Sequence, residues 1–181
     1  MYDIIEKTNE TVTRKKRDCG GEKIMMKDYL VEDIEYFKVW GRTVPNQSPL
    51  VLFWTGSALE CNVKAAELWV EIEADYDMYE PWLGIMINDA YVSRQMLNKG
   101  RQWICVFRGM SPDTIKNVKL IKEVQPMPDD ESHCMQIHTL KTDGTFSPIE
   151  EKKYKIEIIG DSITSGEGSI GAKKEEEWIP M

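Results

Sequence analysis

The sequence predicts a mainly β fold, an antiparallel sandwich or barrel over about residues 35–142, and three observations carry that expectation. Apolar residues recur with a period of two: Leu68, Val70 and Ile72 alternate with Glu67, Trp69, Glu71 and Glu73, the pattern of a strand with one face in a core and one face wet. Turn signals recur at short intervals, in Pro45-Asn46-Gln47-Ser48, Ala74-Asp75-Tyr76-Asp77, Asn88-Asp89, Asn98-Lys99-Gly100, Ser111-Pro112-Asp113 and Pro126-Met127-Pro128-Asp129-Asp130. Between them no segment carries a convincing amphipathic helical repeat.

Taken in order, residues 1–33 form a lead-in. Arg14-Lys15-Lys16-Arg17 beside Gly20-Gly21 reads as a solvated turn, and Ile24-Met25-Met26 and Tyr29-Leu30-Val31 are candidates for an edge strand. Strand-like runs follow at 36–44, 49–55, 58–63, 82–88, 90–96 and 117–124. Trp103, Cys105 and Phe107 form a further expected inward set, and Met135 with Ile137 another, with His138 facing outward. Asp143-Gly144, Pro148 and Glu150-Glu151-Lys152-Lys153 make a polar connection suited to a domain boundary.

Beyond that boundary the pattern changes. Ile156, Ile158 and Ile159 read as a short buried strand, and Gly160-Asp161-Ser162 breaks it where a turn into a helix is expected. Ser162 then sits at the carboxyl end of a strand, where ligands bind in open α/β sheets and where the free N–H groups of a following helix can stabilise an oxyanion. Gly, Asp and Ser are also ordinary turn and N-cap residues, and Thr164 replaces the second glycine of a Gly-x-Ser-x-Gly elbow, which argues against an α/β-hydrolase. Gly166, Gly168 and Gly171 permit a tight loop, and residues 173–179 read as a helix start.

The longer run Ile156-Glu157-Ile158-Ile159-Gly160-Asp161-Ser162-Ile163-Thr164-Ser165-Gly166-Glu167-Gly168, with Gly171-Ala172 and Trp178-Ile179-Pro180-Met181, resembles the first block of the SGNH (GDSL-type) hydrolases. Within them it is similar to the second family of carbohydrate esterases, acetylxylan esterases among them. Val39-Trp40-Gly41-Arg42-Thr43, Phe53-Trp54-Thr55-Gly56-Ser57, Gly100-Arg101-Gln102-Trp103 and Leu140-Lys141-Thr142-Asp143-Gly144-Thr145-Phe146 extend the resemblance over most of residues 35–181.

The resemblance implies a lead-in (1–33), a jelly-roll β-sandwich (34–147, carbohydrate-binding-like) and, from 148 to 181, the first strand, nucleophile turn and helix start of an incomplete α/β/α esterase domain. It makes Ser162 the nucleophile, with its backbone N–H as one oxyanion donor and Gly160 and Asp161 as turn support. The family's glycine and asparagine oxyanion donors and its general-base histidine lie downstream of that block. Residues 1–181 alone are therefore expected to be inactive, the remainder being the C-terminal part of the same protein or a separate chain. The implied substrate is an acetylated polysaccharide or oligosaccharide of xylan or mannan type, with no metal or organic cofactor. A non-catalytic jelly-roll module that binds carbohydrate, or serves structurally, is the other reading.

Composition narrows the field. The chain has 31 acidic and 23 basic residues and a net charge of −8, which disfavours nucleic acid or an anionic membrane as partner. Met1-Tyr2-Asp3-Ile4-Ile5-Glu6-Lys7 does not have the form of a signal peptide, no stretch reaches the ~18 apolar residues of a span, and a cytoplasmic location is expected. Cys19, Cys61, Cys105 and Cys134 lack the spacing of a zinc site or a disulfide framework. Asp130-Glu131-Ser132-His133 spells D-x-x-H but precedes the serine, and reads as an exposed loop. Asp77, Glu80 and Asp89 lack an ordered calcium loop. Among the aromatics, outward Trp69 and loop-borne Tyr79 and Trp82 are the candidates for stacking on sugar rings.

Overall fold

A computed structural model of the chain describes residues 25–44, 48–124, 126, 129–154, 156 and 159–161. These form strands β1 (Lys27–Leu30), β2 (Phe37–Trp40), β3 (Leu50–Leu52), β4 (Ala58–Lys64), β5 (Glu67–Asp75), β6 (Trp82–Ile87), β7 (Ala90–Met96), β8 (Gly100–Arg108), β9 (Ile115–Lys122), β10 (Cys134–Thr142) and β11 (Thr145–Ser147). A 3₁₀ turn, Val31–Asp33, follows β1.

Every pairing is antiparallel. One sheet runs β3-β10-β5-β8, and β1 shares the free edge of β10 with β3: β3 lies opposite Met135–Ile137, and β1 opposite Thr139–Thr142. The other runs β4-β9-β6-β7, with β2 and β11 sharing the outer edge of β4. From β3 to β10 the chain passes repeatedly between the sheets, and these two strand orders are those of an eight-stranded jelly roll. The tail of the lead-in thus contributes an edge strand to the sandwich.

The core is the sum of the inward faces. Leu68, Val70 and Ile72 of β5, Leu83 and Ile85 of β6, Val118 and Leu120 of β9, and Met135, Ile137 and Leu140 of β10 are all fully buried. Each such side chain contributes roughly 1.5–3 kcal/mol by leaving water. β10 holds its alternation through a register shift between Ile137 and Thr139, which brings Leu140 rather than Thr139 into the core.

A second shift, between Leu68 and Trp69, corrects the expected inward set on β8. Phe107 faces the core opposite Leu68, but the irregularity changes the parity of the strand. Ile104 and Val106 are buried, whereas Trp103 and Cys105 turn outward opposite Glu71 and Trp69.

Polar side chains fix the edges. Asp143-Gly144 makes the turn by which the chain passes from β10 in the first sheet to β11 in the second. Asp143 Oδ1 accepts from Ala66 N (2.9 Å) and Glu67 N (3.0 Å), tying the β4–β5 connection to this turn. A Cβ on Gly144 would stand 1.9 Å from the Lys64 carbonyl oxygen, so only glycine fits. On the outer face of the second sheet, Asn117 Nδ2 donates to Glu60 and Asn62. Asn62 in turn donates to the Pro148 carbonyl (2.8 Å), holding the outgoing chain against β4.

Candidate functional site

Ser162 lies outside the described residues. The described chain reaches Gly160 and Asp161, both exposed. Ahead of them Ile156 and Ile159 are 88% and 90% exposed, apolar surface that the sandwich does not cover.

The other sequence candidates are spread over the sandwich. Trp69 is half-buried on the outer face of the first sheet, its indole N–H donated to Glu67 Oε1 (2.6 Å). It lines a hollow of about 290 Å³ together with Trp103 and Lys141, and Lys141 Nζ lies 4.4 Å from the Trp103 ring centre. Trp82 belongs to the second sheet. Its N–H reaches Glu80 (3.3 Å), and the Arg94 guanidinium lies 4.4 Å from its ring centre. Tyr79 is half-buried in the β5–β6 connection. Trp69 and Trp82 therefore lie on different sheets, and the three do not form one stacking platform.

Both histidines are placed. His138 faces outward, as expected, and its Nε2 meets Glu73 Oε2 at 2.8 Å, while Arg101 approaches the same oxygen at 3.1 Å. The Arg101 guanidinium, with His138 beside it, holds the Glu73 carboxyl below its usual range despite partial desolvation.

The D-x-x-H segment is not an exposed loop, which corrects that expectation. Asp130 and His133 are both buried. Asp130 accepts from Asp77 N and Met78 N (both 2.9 Å) and from Ser132 Oγ (3.1 Å), so it clamps the β5–β6 connection. Burial pushes the Asp130 carboxyl up, but these donors and the neighbouring His133 outweigh it and hold the group below the ordinary range. Burial likewise pushes His133 toward its neutral form, aided by nearby Lys122.

Two blocks distant in sequence meet at one end of the sandwich, a juxtaposition the sequence reading missed. The turn Trp54–Ser57 is closed by Ser57 N donating to Trp54 O (3.0 Å). It is stitched to β9 by Gly56 N on Lys122 O (2.8 Å) and Lys122 N on Ser57 O (2.9 Å). Against it rests Gly41, just beyond β2, with a φ of +87°, and a Cβ there would come within 2.6 Å of Ser57 Oγ. Gly41, Arg42, Trp54, Thr55, Gly56 and Ser57 line a hollow of about 730 Å³. Trp40 beside it is fixed by its N–H bond to Glu60 Oε2 (2.6 Å) and by Lys38 Nζ, 4.0 Å from its ring centre. The signal was present in the segments Trp40-Gly41-Arg42 and Phe53-Trp54-Thr55-Gly56-Ser57, but not in their spacing along the chain.

Among the described residues no cluster of three or more His, Cys, Asp or Glu side chains is arranged to hold a metal ion. No helix among them is long and apolar enough to cross a membrane. Cys61, Cys105 and Cys134 are free thiols.

The fold thus defines a two-sheet jelly-roll domain. Its solved structural neighbours are carbohydrate esterase family 2 enzymes, the family that the sequence motifs resemble. An acetyl xylan esterase, Est2A from the rumen bacterium Butyrivibrio proteoclasticus, matches with 39% identity and a TM-score of 0.79, over 86% of this chain and 42% of its own length. A family two carbohydrate esterase from Cellvibrio japonicus matches with 22% identity and a TM-score of 0.65, over 85% of this chain and 44% of its own. Another, from Clostridium thermocellum in complex with cellohexaose, matches with 22% identity and a TM-score of 0.65, over 80% and 43%. The chain therefore spans less than half the length of these enzymes. It matches no protein-family model and no curated protein.

Proposed function

We propose that this chain is the N-terminal portion of a serine carbohydrate esterase that removes O-acetyl groups from plant polysaccharides or oligosaccharides of xylan or mannan type. The observation that carries the proposal is the 39% identical match to an acetyl xylan esterase, joined to the Gly160-Asp161-Ser162 motif. In this reading residues 34–147 are the jelly-roll sandwich and 148–181 begin the esterase domain. The exposed isoleucines ahead of Gly160 support the division, because apolar side chains that gain no cover from the sandwich need it from further chain.

Ser162 Oγ attacks the acetyl carbonyl, and a histidine outside residues 1–181 takes the hydroxyl proton. Both histidines of this chain belong to the sandwich, one buried and one engaged with Glu73, which supports a base from elsewhere. The tetrahedral oxyanion is held by the Ser162 N–H together with a glycine and an asparagine supplied by the same further chain. Its collapse expels the sugar hydroxyl, reprotonated by the imidazolium, and leaves an acetyl-enzyme. Water, deprotonated by the same histidine, then releases acetate. Every step is acid–base and nucleophilic chemistry of side chains, so the reading asks for no metal or organic cofactor.

The test is reconstitution. Chain 1–181 should hydrolyse an aryl acetate no faster than buffer. A longer polypeptide carrying the rest of the esterase domain should be active, and Ser162→Ala should abolish that activity. Full activity in the Ala variant would refute the assignment. Outward Trp69 and Trp103 keep a second reading open, that the sandwich binds carbohydrate in its own right, and titration of residues 1–181 with xylan or mannan oligosaccharides addresses it.

A further inference from the structure

The hollow between Gly41-Arg42 and the turn Trp54–Ser57 is chemically unlike the rest of this acidic chain. Its lining holds one cation and no carboxylate, against a net charge of −8 for the whole sequence. Arg42 is exposed, and its guanidinium makes no hydrogen bond or ion pair with any described residue. Trp54, 59% exposed, likewise keeps its indole N–H free among the described residues, unlike Trp40, Trp69 and Trp82, whose N–H groups are each taken by a glutamate.

At the base of the hollow Ser57 contributes a hydroxyl that is buried and has no hydrogen-bond partner. A buried hydroxyl without a partner is unfavourable, which marks the base of the hollow as less than fully settled within the described residues. The space, about 730 Å³, is of the size that takes small ligands.

We infer that this hollow is a subsite for an acidic sugar. The carboxylate of a uronic-acid unit pairs with the Arg42 guanidinium, and its ring lies against Trp54. A guanidinium matches a carboxylate with two parallel N–H bonds, which a neutral sugar cannot offer, while the aromatic face serves either sugar. The subsite would accordingly select the acidic branches of an acetylated polysaccharide over its neutral stretches. In naming a polysaccharide branch as the source of the uronic acid, this inference rests on the esterase reading above.

Calorimetric titration of chain 1–181 with a xylo-oligosaccharide bearing one glucuronic-acid branch, and with the unbranched oligosaccharide of equal length, tests it. The acidic ligand should bind at least about tenfold more tightly at low salt, with the advantage shrinking as salt screens the pair. Arg42→Gln should bring the acidic ligand down to the affinity of the neutral one, and Arg42→Lys should restore only part of the preference. Trp54→Ala should weaken both ligands.

Thermal melts of each variant establish that it is folded, and both altered side chains are solvent-facing. Equal affinity for the two ligands, a preference that survives Arg42→Gln, or no binding of either would overturn the subsite. Acetate release from neutral acetylated xylo-oligosaccharides by the longer polypeptide reports separately on the esterase. Activity there without acid preference here would sink the subsite and leave the esterase standing, and acid preference without acetate release would do the reverse.

Discussion

Among single residues, Lys122 is the one whose burial the sequence least suggests. It closes β9 and is fully buried, with its ammonium donating to the Val124 carbonyl, and desolvation brings its pKa from 10.5 down to about 8. Between about pH 8 and 10.5 the unfolded chain holds a proton that the folded chain releases, so this group makes stability rise with pH through that window. Above about pH 9 the buried Cys61 thiol, pushed up from 9.0 to about 12, works in the opposite direction. The comparison of wild type with Lys122→Met isolates the lysine. Urea midpoints should rise from pH 8 to pH 10 by more in the wild type than in the variant, and identical pH profiles would contradict the assignment. Gly41 is exposed but held by its backbone conformation. Gly41→Ala should lose roughly 1–2 kcal/mol from its left-handed backbone, and more from the contact with Ser57. In a Ser57→Gly background the clash with Oγ should go, leaving the tighter approach to the backbone Cα and the backbone part, so urea titrations of the wild type and the three variants should give a double variant milder than the sum of the singles.

At the scale of elements, period-two alternation located the strands well because sidedness is a property of pleated backbone. β5, β6, β7 and β9 follow the runs read from Leu68–Ile72, 82–88, 90–96 and 117–124. Alternation fails where a register shift changes parity. The shift beside Leu68 turned Trp103 and Cys105 outward, and no side chain in that stretch announces it. Nor did alternation anticipate that two lysines, Lys116 and Lys122, occupy inward positions of β9, where long stems pack inside and the ammonium groups reach carbonyl oxygens: Ala65 and Ser111 for the first, Val124 for the second. Connections were legible as turns but not as clamps. Asp143 is one such clamp, and Asp143→Ala should destabilise by about 1–3 kcal/mol because Ala66 N and Glu67 N lose their acceptor. Asp143→Asn, which retains the oxygen, should cost less, and denaturant titration of the two variants decides it. Asp130 holds its loop in the same way. Its carboxyl sits below the ordinary range, so the stability it contributes is present at neutral pH and fades as acid protonates it. Asp130→Asn should flatten the decline of the unfolding midpoint below about pH 4.

For the whole molecule, the motifs carried more than the periodicity did. Alternation and turns reached an antiparallel sandwich, and the jelly-roll order followed from the resemblance and matches the observed pairing of β3-β10-β5-β8 with β4-β9-β6-β7. The candidate site divides differently. The Gly160-Asp161-Ser162 triplet is local and was readable, whereas the meeting of Gly41-Arg42 with Trp54–Ser57 depends on β2 and β3 reaching the same end of the sandwich from different sheets, which spacing along the chain does not encode. In the proposed function one serine hydroxyl, that of Ser162, attacks an ester. The most direct measurement is mass spectrometry of a longer polypeptide carrying the rest of the esterase domain after reaction with a fluorophosphonate, which phosphonylates an activated serine and releases fluoride. One adduct is expected, located on the peptide that contains Ser162 and missing in Ser162→Ala, with acetate release from acetylated xylan lost in step. An adduct on another residue, or inhibition that proceeds unchanged in the Ala variant, would contradict it.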